Sequence, residues 1–246
     1  SNPQGAVYIN GKLAQGLDVN HSRIFLKGKT EKDGHKEGPE SLEVLILLYS
    51  GEEAQEFSFR ARLCTVDDRT QGFYYDLLVP WQCARLMEKE ETQYQRLMEA
   101  LSETVNRLDL RRMGSGGYYE SLIAAGSYLK GVTGDMQSIA GPPQAYCVGH
   151  THIDIAWLWT VEVTREKAAR SFSTVLSLME RYPDYRFLSS QPILYEFVKE
   201  NQPVLYERIR ERIEEGRWEA EGGMYVEPDC TLTSGESLVR QLLYGI

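Results

Sequence analysis

The stretch AYCVGHTHIDIAWLW occupies residues 145–159 and indicates how the second half of the chain folds. Its opening residues are apolar or small, which is typical of a short buried strand. Polar side chains follow at once, as expected where a strand of an α/β sheet ends and its carboxyl edge opens to ligands. We therefore predict a strand over residues 145–149 and a ligand-binding edge over residues 150–154.

Strand and helix patterns alternate after this stretch. The predicted helices and strands occupy, in chain order, residues 165–181, 185–188, 193–200, 204–215 and 217–224, and another helix begins near Ser234. Such alternation predicts a parallel sheet or a barrel. Three strands cannot close a barrel of eight, so we expect residues 144–246 to hold the first β/α units of a (β/α) barrel that is truncated in this chain.

The first eighty residues have strand patterns without intervening helices. Their apolar or alternating segments are residues 6–9, 23–26, 42–49, 56–63 and 73–79. The Asn10-Gly11 pair is a strong signal for a tight hairpin turn. Several strands with no helix between them predict an N-terminal antiparallel β-sandwich-like domain over residues 1–80.

Residues 81–143 show helix patterns, unlike the strand-rich segment before them and the alternating segment after them. Apolar residues recur at three- and four-residue steps from Trp81 to Arg112, which predicts one long amphipathic helix. A second helix is predicted from Tyr118 to Lys130, and the Gly- and Pro-containing residues 131–143 indicate a linker. The chain is thus predicted to be multidomain and of mixed α+β and α/β class, with a helical connection over residues 81–143.

The composition is that of a globular protein with an excess of acid. Apolar residues make up 42% and charged residues 26%, and 27 basic against 36 acidic side chains give a net charge of −9. Nucleic acids and anionic membranes attract clustered basic surfaces, so neither is expected as a partner. The four cysteines lie far apart without a Cys-x-x-Cys pair, which gives no disulfide framework and favours a cytoplasmic protein.

Two histidines and a carboxylate alternate directly after the predicted strand. Residues two apart in extended backbone point to the same side, so His150, His152 and Asp154 would share a face. Their nitrogen and oxygen atoms are ligands that zinc accepts at a catalytic centre with an open position. A hydrogen-bonded strand end without a metal fits the same pattern. Trp157 fits either the core or a wall on which an apolar sugar face stacks.

The motif VGHTHIDIAWLW at residues 148–159 resembles the opening motif of the glycoside hydrolase family 38 α-mannosidases. Blocks that look like this family follow in the same order: SSQ at 189–191, GGMYVEPD at 222–229 and SGESLVRQ at 234–241. The resemblance covers about residues 144–246. Residues 15–21 are more loosely similar to the β-domain that precedes the catalytic domain in some members.

The resemblance implies a zinc-dependent retaining α-mannosidase that hydrolyses terminal α-mannosides of a glycan. His152 and Asp154 match the family's first two zinc ligands, and Trp157 matches the tryptophan that lines its −1 sugar site. His150 matches a motif position that is not a metal ligand, so we expect a supporting role. Glu227 and Asp229 are candidates for substrate binding, although a role in loop structure is equally open.

The family's nucleophilic aspartate, acid/base carboxylate and last zinc histidine belong to motifs that do not occur in this sequence. We therefore expect an N-terminal fragment without catalytic residues, inactive alone, of an enzyme that is a homo-oligomer. Two alternatives stay open. One is a metal-dependent carbohydrate deacetylase, whose barrels also place His and Asp around a divalent metal. The other is a non-catalytic carbohydrate-binding module formed by the β-domain.

Overall fold

The computed structural model describes residues 4–26, 30–32, 35–37, 41–49, 58–136 and 144–245. Its strands are β1 (Gln4–Ile9), β2 (Lys12–Leu17), β3 (Thr30–Lys32), β4 (His35–Glu37), β5 (Val44–Tyr49), β6 (Gly149–His150), β7 (Phe187–Ser189) and β8 (Trp218–Ala220). Its α-helices are α1 (Asp68–Ala84), α2 (Thr92–Asn106), α3 (Gly116–Asp135), α4 (Val161–Arg181), α5 (Pro192–Asn201), α6 (Pro203–Glu214) and α7 (Gly235–Gly245), and a 3₁₀ helix covers Leu110–Arg112.

The chain divides into two compact units. One unit combines residues 1–58 with residues 146–246, and the other consists of residues 59–145. The N-terminal strands therefore belong to the same unit as the segment that carries His150. The predicted limits 1–80, 81–143 and 144–246, understood as independently folding domains, stay a prediction.

The N-terminal strands form a small antiparallel sheet in the order β2-β1-β5, and β3 pairs with β4. The predicted hairpin at Asn10-Gly11 is confirmed, because both residues have positive φ angles, 49° and 74°, as a tight two-residue turn requires. Residues 23–26 are not a strand. Residues 58–63 are irregular, and the start of the predicted strand 56–63 lies outside the described residues. The described residues thus do not show the predicted sandwich.

The strand predicted over residues 73–79 is wrong, because these residues lie inside α1. Their aromatic and β-branched content indicated a strand, but Phe73 and Leu77 are four residues apart and contact the same cluster. That cluster includes Tyr118, Leu122 and Ala125 of α3. Burial of one helical face against α3 therefore outweighs local strand propensity.

The single helix predicted from Trp81 to Arg112 is also wrong. The chain leaves the helix after Ala84 and re-enters it at Thr92. Ala84 of α1, Leu97 and Leu101 of α2 and Leu129 of α3 share one buried cluster. A single straight helix could not bring Ala84 and Leu101 together, whereas a turn between two helices buries both apolar faces. The helix predicted from Tyr118 to Lys130 is confirmed within α3.

The second half of the chain forms a parallel sheet in the order β6-β7-β8 with helices between the strands. The predicted alternation of strands and helices is confirmed, but the described residues form no closed barrel. The predicted strand 145–149 shrinks to residues 149–150, and residues 145–148 are exposed. The short β7 explains the difference, since it offers β6 a partner only at Phe187 and Leu188.

Helix α4 covers this sheet and also supports the N-terminal hairpin. Phe172 of α4 packs against Trp218 of β8 with ring centroids 5.1 Å apart. Elsewhere on α4, the Thr174 hydroxyl accepts a hydrogen bond of 2.9 Å from the Gly16 backbone N–H of β2. A Cβ at Gly16 would lie 3.0 Å from the Arg170 carbonyl oxygen, so a larger residue would push β2 away from α4. Of the described helices, none combines the length and apolar character needed to cross a membrane.

Candidate metal and sugar site

His150 is the last residue of β6 and is held by the neighbouring strand. Its Nδ1 lies 3.1 Å from the Leu188 carbonyl oxygen of β7. A carbonyl oxygen only accepts hydrogen bonds, so Nδ1 carries the proton and the lone pair of Nε2 stays available to a ligand. The strand end therefore fixes both the position and the tautomer of this imidazole.

His152 lies between two carboxylates. Its Nε2 is 3.2 Å from Asp154 Oδ1, and its Nδ1 is 2.8 Å from Glu227 Oε2. A neutral imidazole donates through one nitrogen and has a lone pair on the other. In the neutral ring, one of the two nitrogens faces its carboxylate with a lone pair, and a cation held by both groups would make that contact favourable. The arrangement therefore suits a cation.

A group of three possible ligands forms around His152. One ligand atom each from His150, His152 and Glu227 lie within 4.8 Å of one another, and all three side chains are exposed. Asp154 adjoins this group through its contact with His152. Imidazole nitrogen and carboxylate oxygen are ligands that zinc takes, so the donor set fits that metal. The predicted site residues His150, His152, Asp154 and Glu227 thus lie together.

The loop after β8 brings Glu227 to this group. Gly222 has a φ of +127°, which favours glycine, and it passes close to Ser190. The Ser190 hydroxyl donates a hydrogen bond of 2.5 Å to Glu227 Oε1. Further along, the Gln241 side chain of α7 accepts a hydrogen bond of 2.8 Å from the Val226 backbone N–H. Two separate elements therefore hold this loop.

Sequence reasoning gave Ser190 and Gln191 no role. Both follow β7 directly, at the same sheet edge that His150 occupies after β6. Their position at the carboxyl end of a parallel strand was the signal that could have found them. Gln191 also accepts a hydrogen bond from the Glu227 backbone N–H, so both residues belong to the site.

Asp229 shapes its own loop. Its Oδ1 accepts hydrogen bonds from the Thr231 hydroxyl and from the Thr231 backbone N–H, and these bonds lower the pKa of the Asp229 carboxyl. Its backbone oxygen accepts another hydrogen bond from the Thr233 hydroxyl at 2.8 Å. These contacts support the loop-structural role, and the substrate-binding role of Asp229 stays a prediction.

Trp157 is not a core residue, since 68% of it is exposed. Its ring meets the Trp159 ring edge to face at a centroid distance of 5.5 Å. Lys167 also makes a cation–π contact with Trp159, since its Nζ lies 3.7 Å from the centroid of the Trp159 ring. Trp159 therefore supports the Trp157 ring, and Trp157 presents an exposed aromatic surface three residues after Asp154.

Buried Thr164 of α4 fastens this loop to the helix. Its hydroxyl donates to the Ile155 carbonyl oxygen at 2.5 Å and accepts from Trp159 Nε1 at 3.0 Å. We expect Thr164→Val to lower the free energy of unfolding by about 1–3 kcal/mol, because the Ile155 carbonyl oxygen and the Trp159 N–H both lose their hydrogen-bond partner. Thr133→Val is the matched control, since the Thr133 hydroxyl bonds only within α3. Equal losses in urea titrations of the two variants would contradict the role of Thr164.

The part of the chain that carries the candidate site is similar in sequence to known proteins. Residues 142–246 match the sequence profile of the Glycosyl hydrolases family 38 N-terminal domain. This segment is similar to that family 38 domain. The resemblance predicted from the sequence is therefore confirmed, and His150, His152, Asp154 and Glu227 all lie in the family 38 segment.

The segment is similar to several curated proteins. It is 51% identical to "Alpha-mannosidase G" of Dictyostelium discoideum over 102 residues, which are 42% of this chain and 9% of that protein. It is 48% identical to "Alpha-mannosidase 2C1" of Homo sapiens over 100 residues, 41% of this chain and 10% of that protein. It is 39% identical to "Alpha-mannosidase" of Saccharomyces cerevisiae over 101 residues, 41% of this chain and 9% of that protein. The matched part thus spans about a tenth of these relatives.

Proposed function

We propose that this chain is part of a zinc-dependent retaining α-mannosidase that acts on terminal α-mannosides, and that it supplies the first part of the metal centre. The observation that carries the proposal is the position of His152 between Asp154 and Glu227, with His150 beside them. The family 38 segment and its alpha-mannosidase relatives support the substrate class.

The proposed metal ligands are His152 and Asp154, as the sequence predicts. Glu227 stands within reach of the same ion, and His150 supports the site through its fixed ring. When bound, zinc would act as a Lewis acid that holds and polarises hydroxyl oxygens of the sugar. Ser190 keeps the Glu227 carboxylate turned toward His152, so the negative charge needed to retain a cation stays in place.

Trp157 is the proposed sugar wall. An exposed aromatic ring suits mannose, because the ring can stack on the apolar face of the sugar while the carboxylates of the site accept hydrogen bonds from its hydroxyl groups. The T-shaped contact with Trp159 holds the Trp157 ring from one side. Trp157 thus orients the substrate without contacting the proposed ion.

Cleavage with retention needs two carboxyl groups about 5 Å apart, one as nucleophile and one as proton donor. Asp154 and Glu227 both contact His152, so we assign them to the ion and its surroundings. We therefore propose that residues 1–246 contain neither the nucleophile nor the acid/base residue. The cytoplasmic location and the homo-oligomer expected from the sequence stay predictions.

The 246-residue chain should not hydrolyse an aryl α-mannoside, because this carboxyl pair is missing. The assay uses purified chain with added zinc, and acetylated chitooligosaccharide serves as the control substrate for a deacetylase. The longest polypeptide that the gene encodes is assayed in parallel and should release the aryl alcohol from the mannoside only. Turnover by the 246-residue chain would contradict the assignment, and Glu227 and Asp229 would then be mutated first. Release of acetate by the longest polypeptide would favour the deacetylase.

A further inference from the structure

A single buried side chain joins the two loops that carry the candidate ligands. Gln191 follows β7, and only 3% of it is exposed. Its Nε2 donates a hydrogen bond of 2.9 Å to the Ile153 carbonyl oxygen, and its Oε1 accepts one of 3.3 Å from the Glu227 backbone N–H. Ile153 lies between His152 and Asp154 in the sequence. The Gln191 amide therefore connects the backbone of both ligand-bearing loops.

The two partners fix the orientation of this amide. A carbonyl oxygen only accepts and a backbone N–H only donates, so a reversed amide would lose both hydrogen bonds. The Gln191 side chain must also be long enough to reach Ile153 and Glu227 at once. Neither a shorter amide nor an apolar side chain can make both bonds.

The backbone of Gln191 is strained as well. Its φ is +67°, and the only other described non-glycine residue with a positive φ is Asn10 in the hairpin turn. Such a conformation is costly for a residue with a Cβ and persists where the surroundings over-determine it. At Gln191 no turn between paired strands requires it, since the residue links β7 to α5. The conformation instead directs the side chain into the gap between the two loops.

Ser190 strengthens the attachment of one of these loops. Its hydroxyl bonds to Glu227 Oε1, while Glu227 Oε2 contacts His152 Nδ1. Neighbouring residues thus hold Glu227 twice, through its carboxylate and through its backbone. The Gln191 bond to Ile153 extends this support to the backbone of the other loop.

We propose that Gln191 is a positioning residue that sets the distance of His152 and Asp154 from Glu227 and thereby the affinity of the site for zinc. This inference rests on the proposed function, because it takes these side chains as the surroundings of the ion. Gln191 itself acts through two backbone groups and does not contact the ion. It links the second β/α unit to ligands that come from the first and third strands.

Two substitutions separate the two hydrogen bonds. Gln191→Met keeps the length of the side chain but removes both bonds. Gln191→Glu keeps an acceptor for the Glu227 N–H but cannot donate to Ile153 when ionised. The matched control is Gln202→Met, because Gln202 also precedes a helix and its side chain makes no capping hydrogen bond.

The variants are made in the longest polypeptide that the gene encodes and compared by hydrogen exchange and by zinc competition with a chromophoric chelator. Gln191→Met should speed amide exchange in both segments 150–158 and 221–229, and Gln191→Glu mainly in 150–158. Both should weaken zinc binding about 10–100-fold, the range for partners that orient metal ligands. Gln202→Met should change neither quantity.

Different outcomes overturn different statements. A wild-type protein that binds no zinc would refute the metal centre of the proposed function. Normal zinc affinity in Gln191→Met, or exchange that rises only within residues 187–194, would overturn the role given to Gln191. If circular dichroism shows that Gln191→Met is unfolded, hydrogen exchange and zinc competition on Gln191→Glu test the role of Gln191 instead.

Discussion

Replacing His152 with alanine should remove zinc and turnover together in the longest polypeptide that the gene encodes. The imidazole contacts Asp154 through one nitrogen and Glu227 through the other, so its loss leaves two carboxylates without the group between them. Loss of a partner that only orients a ligand costs about 10–100-fold in affinity or activity. Loss of a proposed ligand should exceed about a hundredfold. Asp154→Ala should have the same effect.

His21→Ala is the matched control for His152→Ala. His21 also pairs with an aspartate, since its Nδ1 lies 3.1 Å from Asp18 Oδ1, but neither residue belongs to the proposed ligands. Zinc content by mass spectrometry and turnover of an aryl α-mannoside are measured on both variants. Wild-type zinc and activity in His152→Ala would end the proposed metal centre, and equal losses in His21→Ala would show that the effect is not specific to His152.

Trp218→Ala should cost about 3–5 kcal/mol of the free energy of unfolding, as expected for a large buried aromatic residue. Trp218 is 1% exposed and lies where three aromatic rings converge on it: Phe172, Phe187 and Tyr195. The free energy of unfolding of native proteins is only about 5–15 kcal/mol in total, so this substitution should lower the melting temperature strongly.

Trp157→Ala provides the matched control for Trp218→Ala, because the same side chain is removed from an exposed position. It should keep the melting temperature and the zinc content while it weakens binding of a mannoside. Differential scanning calorimetry and isothermal titration with an aryl α-mannoside measure the two effects. A large fall in melting temperature for Trp157→Ala with normal binding would place this residue in the core after all.

The parts of the fold that the sequence predicts correctly are those where local pattern and tertiary packing agree. The Asn10-Gly11 turn and the apolar stripe of α4 are examples, since each needs only short-range information. The strand prediction for residues 73–79 was wrong because their packing partner, α3, lies more than thirty residues further along the chain. Local propensity for a strand could not reveal that partner.

The candidate site shows the same limit. The alternation of His150, His152 and Asp154 pointed to a common face, and the structure places these residues together with Glu227. The role of Gln191 could not be predicted, because it depends on two backbone groups 38 and 36 residues away. Side chains that bind backbone carry no recognisable motif of their own.

The contact between Gly16 and Thr174 has a consequence for synthesis on the ribosome. The two residues are 158 positions apart, and translation at roughly 5–20 residues per second adds this length in about 8–30 s. The N-terminal hairpin therefore emerges long before the helix on which it rests. Contacts of such long range slow folding, because the chain must close a large loop first. During this interval the face of the hairpin that α4 covers in the folded chain is exposed to water.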